Sequence, residues 1–252
     1  MEYNKLLDLV INICKEMLEC GAEISRVEDT ASRIFKSYNI SEVNVFTITS
    51  CIIITIKNNE NIYTQTKRII NYNTNLDRLD KLNSLSRYIC QNNPDISYIK
   101  ESYDKIIKSS LYSKKIFAII YSVIAFSLTI FFGGNFIDGI ASGVLGLIMY
   151  CLITKFNYID ANIALLTMII AFVIGFFAVV FVKIGFGKDL DNIVIGNIML
   201  MIPGVAITNS LRDMISGDTM SGLLRFAESI IKATAVTLGF VIATVYLGKF
   251  IL

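Results

Sequence analysis

The chain has 252 residues, 54% of them hydrophobic and 17% charged, with a formal net charge of +2. That is more apolar than an ordinary soluble domain, and the mixed charge lacks the basic footprint of a nucleic-acid binder. Histidine is absent, which removes the commonest metal ligand and the commonest general base, so no metal site and no cofactor are expected.

Charge is unevenly placed. Residues 1–115 hold 16 Lys/Arg and 14 Asp/Glu, whereas 116–252 hold 7 and 7. This division predicts an α+β domain over 1–112, followed by an all-α polytopic membrane domain over 113–252 with about five transmembrane helices. The polar start, Met1-Glu-Tyr-Asn-Lys5, has no apolar leader, so no cleaved signal peptide is expected and the first domain is placed on the cytoplasmic side. Cys14, Cys20, Cys51, Cys90 and Cys151 form no C-x-x-C pair and read as inert buried thiols in a reducing compartment.

Residues 3–19 carry Leu6, Leu9, Val10, Ile13 and Met17 at helical spacing, and Gly21 is a plausible stop. A second helix over 22–38 gathers Ile24, Val27, Ala31, Ile34 and Phe35 on one face, with Arg26, Asp29 and Arg33 opposite. Glu28 falls on the shoulder of that apolar stripe, where a carboxylate needs a partner or its pKa rises. The β-branched run 43–56 reads as two strands turning near Ser50, with a third around 62–67. Asn73 or Asn75 can cap a helix bearing Leu79, Leu82, Leu85 and Ile89. Asn92-Asn93-Pro94 ends it, and a last helix follows from Asp95. No Gly-rich phosphate loop and no nucleophile elbow are present.

Apolar segments then follow at 116–132, 136–154, 161–182, 191–208 and 233–250, with 223–232 extending the last at its cytoplasmic end. Lys114, Lys115, Lys155, Arg212 and Arg225 would lie inside, against Lys183, Lys188 and Lys249 outside. Gly139, Ser142, Gly143 and Gly146 form a small-residue stripe that suits close helix packing, either within one bundle or on a partner. Asp138 and Asp160 read as interface markers, with Asp138 also a candidate for proton coupling, and Asn197 as an inter-helix hydrogen bonder or a pathway residue.

The stretch 193–222 breaks the membrane pattern. Pro203 removes a backbone donor and Gly204 tolerates almost any angle, so the fourth segment should kink or unwind there. Freed backbone groups survive at membrane depth only inside protein or beside a wet cavity. Thr208, Asn209, Arg212, Asp213 and Gly217 follow directly, and with Pro203 and Gly204 they are the candidate substrate or gating residues. Arg212 could take a carboxylate, and Asp213 is a second candidate for proton coupling.

Two stretches together resemble a known family. Gly21-Ala-Glu-Ile-Ser-Arg-Val-Glu-Asp-Thr30 is similar to the signature of the threonine/serine exporter family, N-terminal-type component. Pro203-Gly204 with Thr208-Asn209-Ser-Leu-Arg-Asp213 and Ser216-Gly-Asp218 resembles its membrane motif. The resemblance implies a multi-pass cell-membrane exporter of threonine, serine or related small metabolites, with dicarboxylates as an alternative, driven by the proton gradient. It implies a soluble motif at Gly21, Glu23, Arg26, Glu28, Asp29 and Thr30. Because the fused family form has about ten helices, it also implies a split system in which a small membrane protein supplies the rest. The partners would then be that protein, a small-molecule substrate, membrane lipid and further copies in an oligomer, with no nucleic acid.

Two rival readings use the same residues. A membrane-anchored hydrolase would use Arg26, Glu28 and Asp29 with Ser25, Ser50 or Cys51, but no nucleophile has a recognisable base. A sensor or assembly factor would need no solute site.

Overall fold

The computed structural model describes residues 3–40, 42–58, 61–70, 72, 74–109, 112–156 and 162–247. The chain groups into two compact units. One comprises Met1–Leu111 with Gly204–Ala227, the other Tyr112–Pro203 with Glu228–Leu252.

In the first unit the expected α-α-β-β-β-α-α order is present: α1 (Tyr3–Glu19), α2 (Ile24–Ser37), β1 (Glu42–Ile48), β2 (Cys51–Asn58), β3 (Asn61–Arg68), α3 (Leu76–Asn92) and α4 (Ile96–Lys108). The sheet is antiparallel in the order β1-β2-β3, with Ile54 opposite Val45 and Gln65. This register puts Ile52, Ile54 and Ile56 on one fully buried face, in a core shared with Leu6, Val10, Ile24, Ile34 and Leu82. The other face is mixed, with Phe46 and Ile62 exposed beside the Thr55 and Thr64 hydroxyls, 2.9 Å apart, and Lys57 paired to Glu42 at 3.0 Å. Asn75 caps α3, its side chain accepting from the Arg78 amide, while Asn73 lies outside the described residues. Asn93, in left-handed backbone, closes α3.

Gly21 ends α1 because the chain must turn left-handed there (φ +97°). Its amide reaches the Leu18 carbonyl and the Ala22 amide reaches Met17, a Schellman closure that favours glycine. Gly217 (φ +103°) ends α9 (Gly204–Ile215) in the same way, with Gly217 on Met214 and Asp218 on Asp213. The glycines of the two sequence motifs therefore perform the same helix-terminating task. α10 (Thr219–Val241) follows at once, and Gly222 lets it approach α9, since a Cβ there would sit 2.6 Å from the Ser210 carbonyl oxygen.

The second unit holds α5 (Lys114–Phe131), α6 (Phe136–Phe156), α7 (Ile163–Lys183), α8 (Leu190–Met201) and the later part of α10, which passes into a π-helical turn over Ile242–Leu247. Among the described residues four helices are long and apolar enough to cross a membrane, Lys114–Phe131, Phe136–Phe156, Ile163–Lys183 and Thr219–Tyr246. A fifth span is reached if Leu190–Met201 and Gly204–Ile215 count as one broken crossing. The fourth segment is interrupted as expected: α8 stops at Met201 and a new helix starts at Gly204, directly after Pro203. On α5, Ile119, Val123 and Phe131 are exposed, as hydrocarbon contact requires.

The glycine stripe of α6 packs on α5. A Cβ at Gly139 would meet the Phe126 ring, and one at Gly146 would sit 2.7 Å from the Tyr121 carbonyl oxygen. Of the two readings open for this stripe, packing inside the bundle is the one seen. Asp160 lies outside the described residues. Among the cysteines, Cys14 and Cys20 are buried, and desolvation pushes their thiols up to about 12 and about 11. Cys51 and Cys90 are only half-buried and Cys151 falls on an exposed position of α6, so these three depart from the expectation of burial.

Candidate functional site

The two sequence motifs meet inside the first unit. α2 begins at Ile24 with Glu23 as its N-cap residue, yet the Glu23 side chain makes no capping bond. The orphan first-turn amide of Ile24 instead donates to Asp213 Oδ1 at 3.2 Å, across 189 positions of sequence. A carboxylate at a helix start satisfies an unpaired N–H and lies at the positive end of the dipole, so Asp213 serves α2 as a borrowed cap. Its other oxygen accepts from Arg225 Nη1 at 3.0 Å, and the same nitrogen donates to the Ala22 carbonyl at 3.2 Å. The Arg225 guanidinium also lies 5.5 Å from the centre of the Tyr72 ring.

Two further contacts complete the set. Asn209 Nδ2 donates to the Gly21 carbonyl at 2.9 Å, and Arg212 Nη1 pairs with Glu23 Oε1 at 2.8 Å. Residues 21–24 are thus each bonded by α9 or α10 through one backbone or side-chain group. The Asp213–Arg225 pair is almost fully buried, at 0% and 8% side-chain exposure. Arg212 is 65% exposed, so its ion pair is screened and weak.

The expected residues distribute as follows. Arg212, read as a receptor for a solute carboxylate, is engaged by Glu23, and the Arg212-Asp213 neighbours do not pair with each other but hold separate partners. Thr208 returns its hydroxyl to the Gly204 carbonyl at 3.0 Å within α9. Gly204 has open space where a Cβ would stand, and Gly217 is the α9 stop. In the soluble motif, Gly21 and Glu23 face α9, while Arg26, Asp29 and Thr30 line a cleft against α3. Arg225 is the residue that sequence reasoning missed, having counted it only as a charge near the membrane. Nothing in the local sequence marks it, because its partners Asp213 and Ala22 are recognisable only after folding.

Glu28 behaves as its place on the stripe requires. Burial pushes its carboxyl above the usual range, the Thr47 backbone amide offsets part of this, and Asp218 raises it further. The folded state therefore holds the proton more tightly than the unfolded chain. Stability from this group is fully present below the ordinary carboxylate pKa and is lost as pH rises through the raised value. Glu28→Gln is expected to melt higher than the parent at pH 8, with the gap closing as pH falls toward 4.5, the ordinary value. A gap independent of pH would refute this linkage.

In the second unit, Asp138 is fully buried near the head of α6. Asn135 Oδ1 accepts from the Asp138 amide at 3.0 Å while Asp138 Oδ2 accepts from the Asn135 amide at 3.2 Å, a reciprocal capping box. Asp138 Oδ1 also accepts from the Lys188 and Asp189 amides at 2.6 and 3.1 Å, pinning the loop before α8. Asn197 donates to Ser142 Oγ at 2.8 Å, and Ser142 to the Ala125 carbonyl at 3.1 Å, a chain that ties α8 to α6 and α5. A cavity of about 300 Å³ lined by Tyr121, Phe156, Leu166, Thr167 and Met201 offers hydroxyls but no charge. That lining suits hydrocarbon better than a doubly charged amino acid.

A family model described as "Putative threonine/serine exporter" matches residues 8–247. The chain belongs to that family. A curated relative of the threonine/serine exporter family, named "Probable threonine/serine exporter" in Mycobacterium tuberculosis (strain ATCC 25618 / H37Rv), is 21% identical over 252 residues. The match covers 95% of this chain and 46% of the relative, so the chain spans about half that protein's length. No solved structure matches. With its apolar helices, membership of an exporter family makes this a multi-pass membrane protein.

Proposed function

We propose that this chain is a subunit of a proton-coupled secondary exporter of threonine, serine or related small carboxylate-bearing metabolites, dicarboxylates included. The observation that carries the reading is the family match across residues 8–247. A small separate membrane protein would supply the remaining helices, in keeping with a relative about twice as long as the matched region. The first domain would lie in the cytoplasm, with the transmembrane helices after it.

The proposed role of the two motifs is gating. α9 follows the Pro203 break directly, and its polar residues hold the head of α2 rather than an open channel. The exposed Arg212–Glu23 pair is suited to opening, whereas the buried Asp213–Arg225 pair is suited to holding. Ile24 and Arg225 bond different oxygens of Asp213, so its protonation would cancel the charge that Arg225 pairs with and turn one of the two acceptors into a donor, and proton arrival would loosen α9. The charged groups facing Asp213 are Arg225 on α10, Glu23 at the head of α2 and Asp218 in the following turn. Asp138, enclosed by backbone amides, is assigned to structure.

The test is efflux from cells preloaded with threonine, serine or a dicarboxylate, with and without the chain and its partner, and with a protonophore. Expression should raise efflux, and collapse of the proton gradient should abolish the increase. Unchanged efflux on deletion would overturn the transport reading. Arg212→Ala should alter the rate without lowering the amount of folded protein, since its pair is exposed.

A further inference from the structure

The geometry points to a binding site for a compact, multiply charged oxyanion in the cleft between α2 and α3, apart from the motif contacts with α9. The cleft measures about 370 Å³. At a share of about 30 Å³ per liquid water, it would hold about a dozen waters, or a pyrophosphate- or citrate-sized anion with part of its hydration.

Three guanidiniums border the cleft, Arg26 and Arg33 from α2 and Arg87 from α3, against one carboxylate, Asp29. Asp29 is used within α2, paired with Arg33 at 2.7 Å. Arg26 has no ion-pair partner among the described residues, and Arg87 makes only a neutral bond, to Ser84 Oγ at 2.9 Å. Two arginines on facing helices are therefore uncompensated across one concavity. Planar guanidinium forks bind phosphate and carboxylate oxygens in pairs, and arginine is the residue chosen for that geometry.

A second, independent feature lies on the cleft wall. Asn83 is 8% exposed and lines the cleft, yet its side-chain amide makes no hydrogen bond among the described residues. Beside it Ser86, 7% exposed, bonds the Asn83 backbone carbonyl and not its side chain. The Asn83 amide is not among the fully buried side-chain atoms left without a partner, so it opens on the cleft, where it can donate to a bound oxyanion. No aromatic ring lines the cleft among the described residues, so a nucleobase would find no stacking surface, which favours a compact polyanion over a nucleotide.

The site is independent of transport, and its test reads binding alone. The purified full chain in detergent would be titrated calorimetrically with pyrophosphate and, separately, with citrate, at low and at raised salt. Saturable one-to-one binding of either anion, weakened by salt, is expected. Arg26→Ala, Arg87→Ala and Asn83→Ala should each weaken it, the two arginine variants by about tenfold or more. Arg68→Ala, an exposed arginine on β3, should leave it unchanged. Melting curves confirm that each variant is folded, and because Arg26 and Arg87 are exposed their removal should barely shift the midpoint. Absence of saturable binding of both anions up to about 10 mM, a regime weaker than any specific site would require, overturns the inference. So does binding that both arginine variants leave within about twofold.

Discussion

Arg225→Ala is expected to lower folding stability by about 3–5 kcal/mol, the loss seen when one partner of a buried ion pair is removed and the other is left uncompensated. Asp213 has no solvent contact to fall back on, with 0% side-chain exposure, and Arg225 is its cationic partner. The Ala22 carbonyl would lose a donor and Tyr72 its cation in the same step. The double variant Arg225→Met with Asp213→Leu removes both charges together, so the two effects should not add. Its remaining deficits are the uncapped Ile24 amide, about 1 kcal/mol by analogy with lost N-caps, and the Ala22 carbonyl without its donor, about 1 kcal/mol more. Thermal unfolding of the purified protein, followed by circular dichroism, distinguishes the outcomes. If Arg225→Ala melts with the parent, or if the double variant is as damaged as the single, the buried pair does not hold α9 to α2 as described.

Asp138→Ala should cost about 3 kcal/mol, at about 1 kcal/mol for each of the three part-buried hydrogen bonds lost. The donors are the amides of Asn135, Lys188 and Asp189, so the damage should reach the head of α6 and the loop before α8. Asp138→Asn keeps one acceptor oxygen and should fall between the parent and Ala. A proton-coupling residue would behave differently. Its Asn variant would remain as stable as the parent while export lost its dependence on the proton gradient. Melting curves and efflux measured on the same two variants decide between these behaviours, and an Asp138→Asn protein of parental stability with uncoupled export would overturn the structural assignment.

What could be read from the sequence was local. The β-branched run 43–56 turned near Ser50 as expected, and Pro203 stopped α8 because it cannot continue a helix. Glu28 was placed at the edge of an apolar stripe by counting residues around α2, and the burial that raises its pKa follows from that position, whereas the further push from Asp218 does not. The glycine stripe of α6 signalled close packing but not which surface it met, because spacing fixes a face and not its neighbour. The motif contacts were out of reach for the same reason. Arg212 and Asp213, placed after a helix break, read as residues open to a solute, and only the folded chain shows Glu23, Ile24 and Arg225 occupying them. Helix caps are normally sought within a few residues of the helix, so a cap 189 positions away leaves no local trace.

The grouping of Gly204–Ala227 with the N-terminal residues has a consequence for biosynthesis. As the ribosome emits the polypeptide, the leading unit must wait, its α2 amide unsatisfied, until most of the apolar helices have been made and position 225 has emerged. A nascent chain released before residue 213 would present an open helix start with no carboxylate to cap it, and one released before residue 225 would leave that carboxylate without its cation. Completion of the first unit is therefore tied to successful synthesis of the segments that follow it, and a prematurely terminated product would lack the fastening that the full-length chain provides.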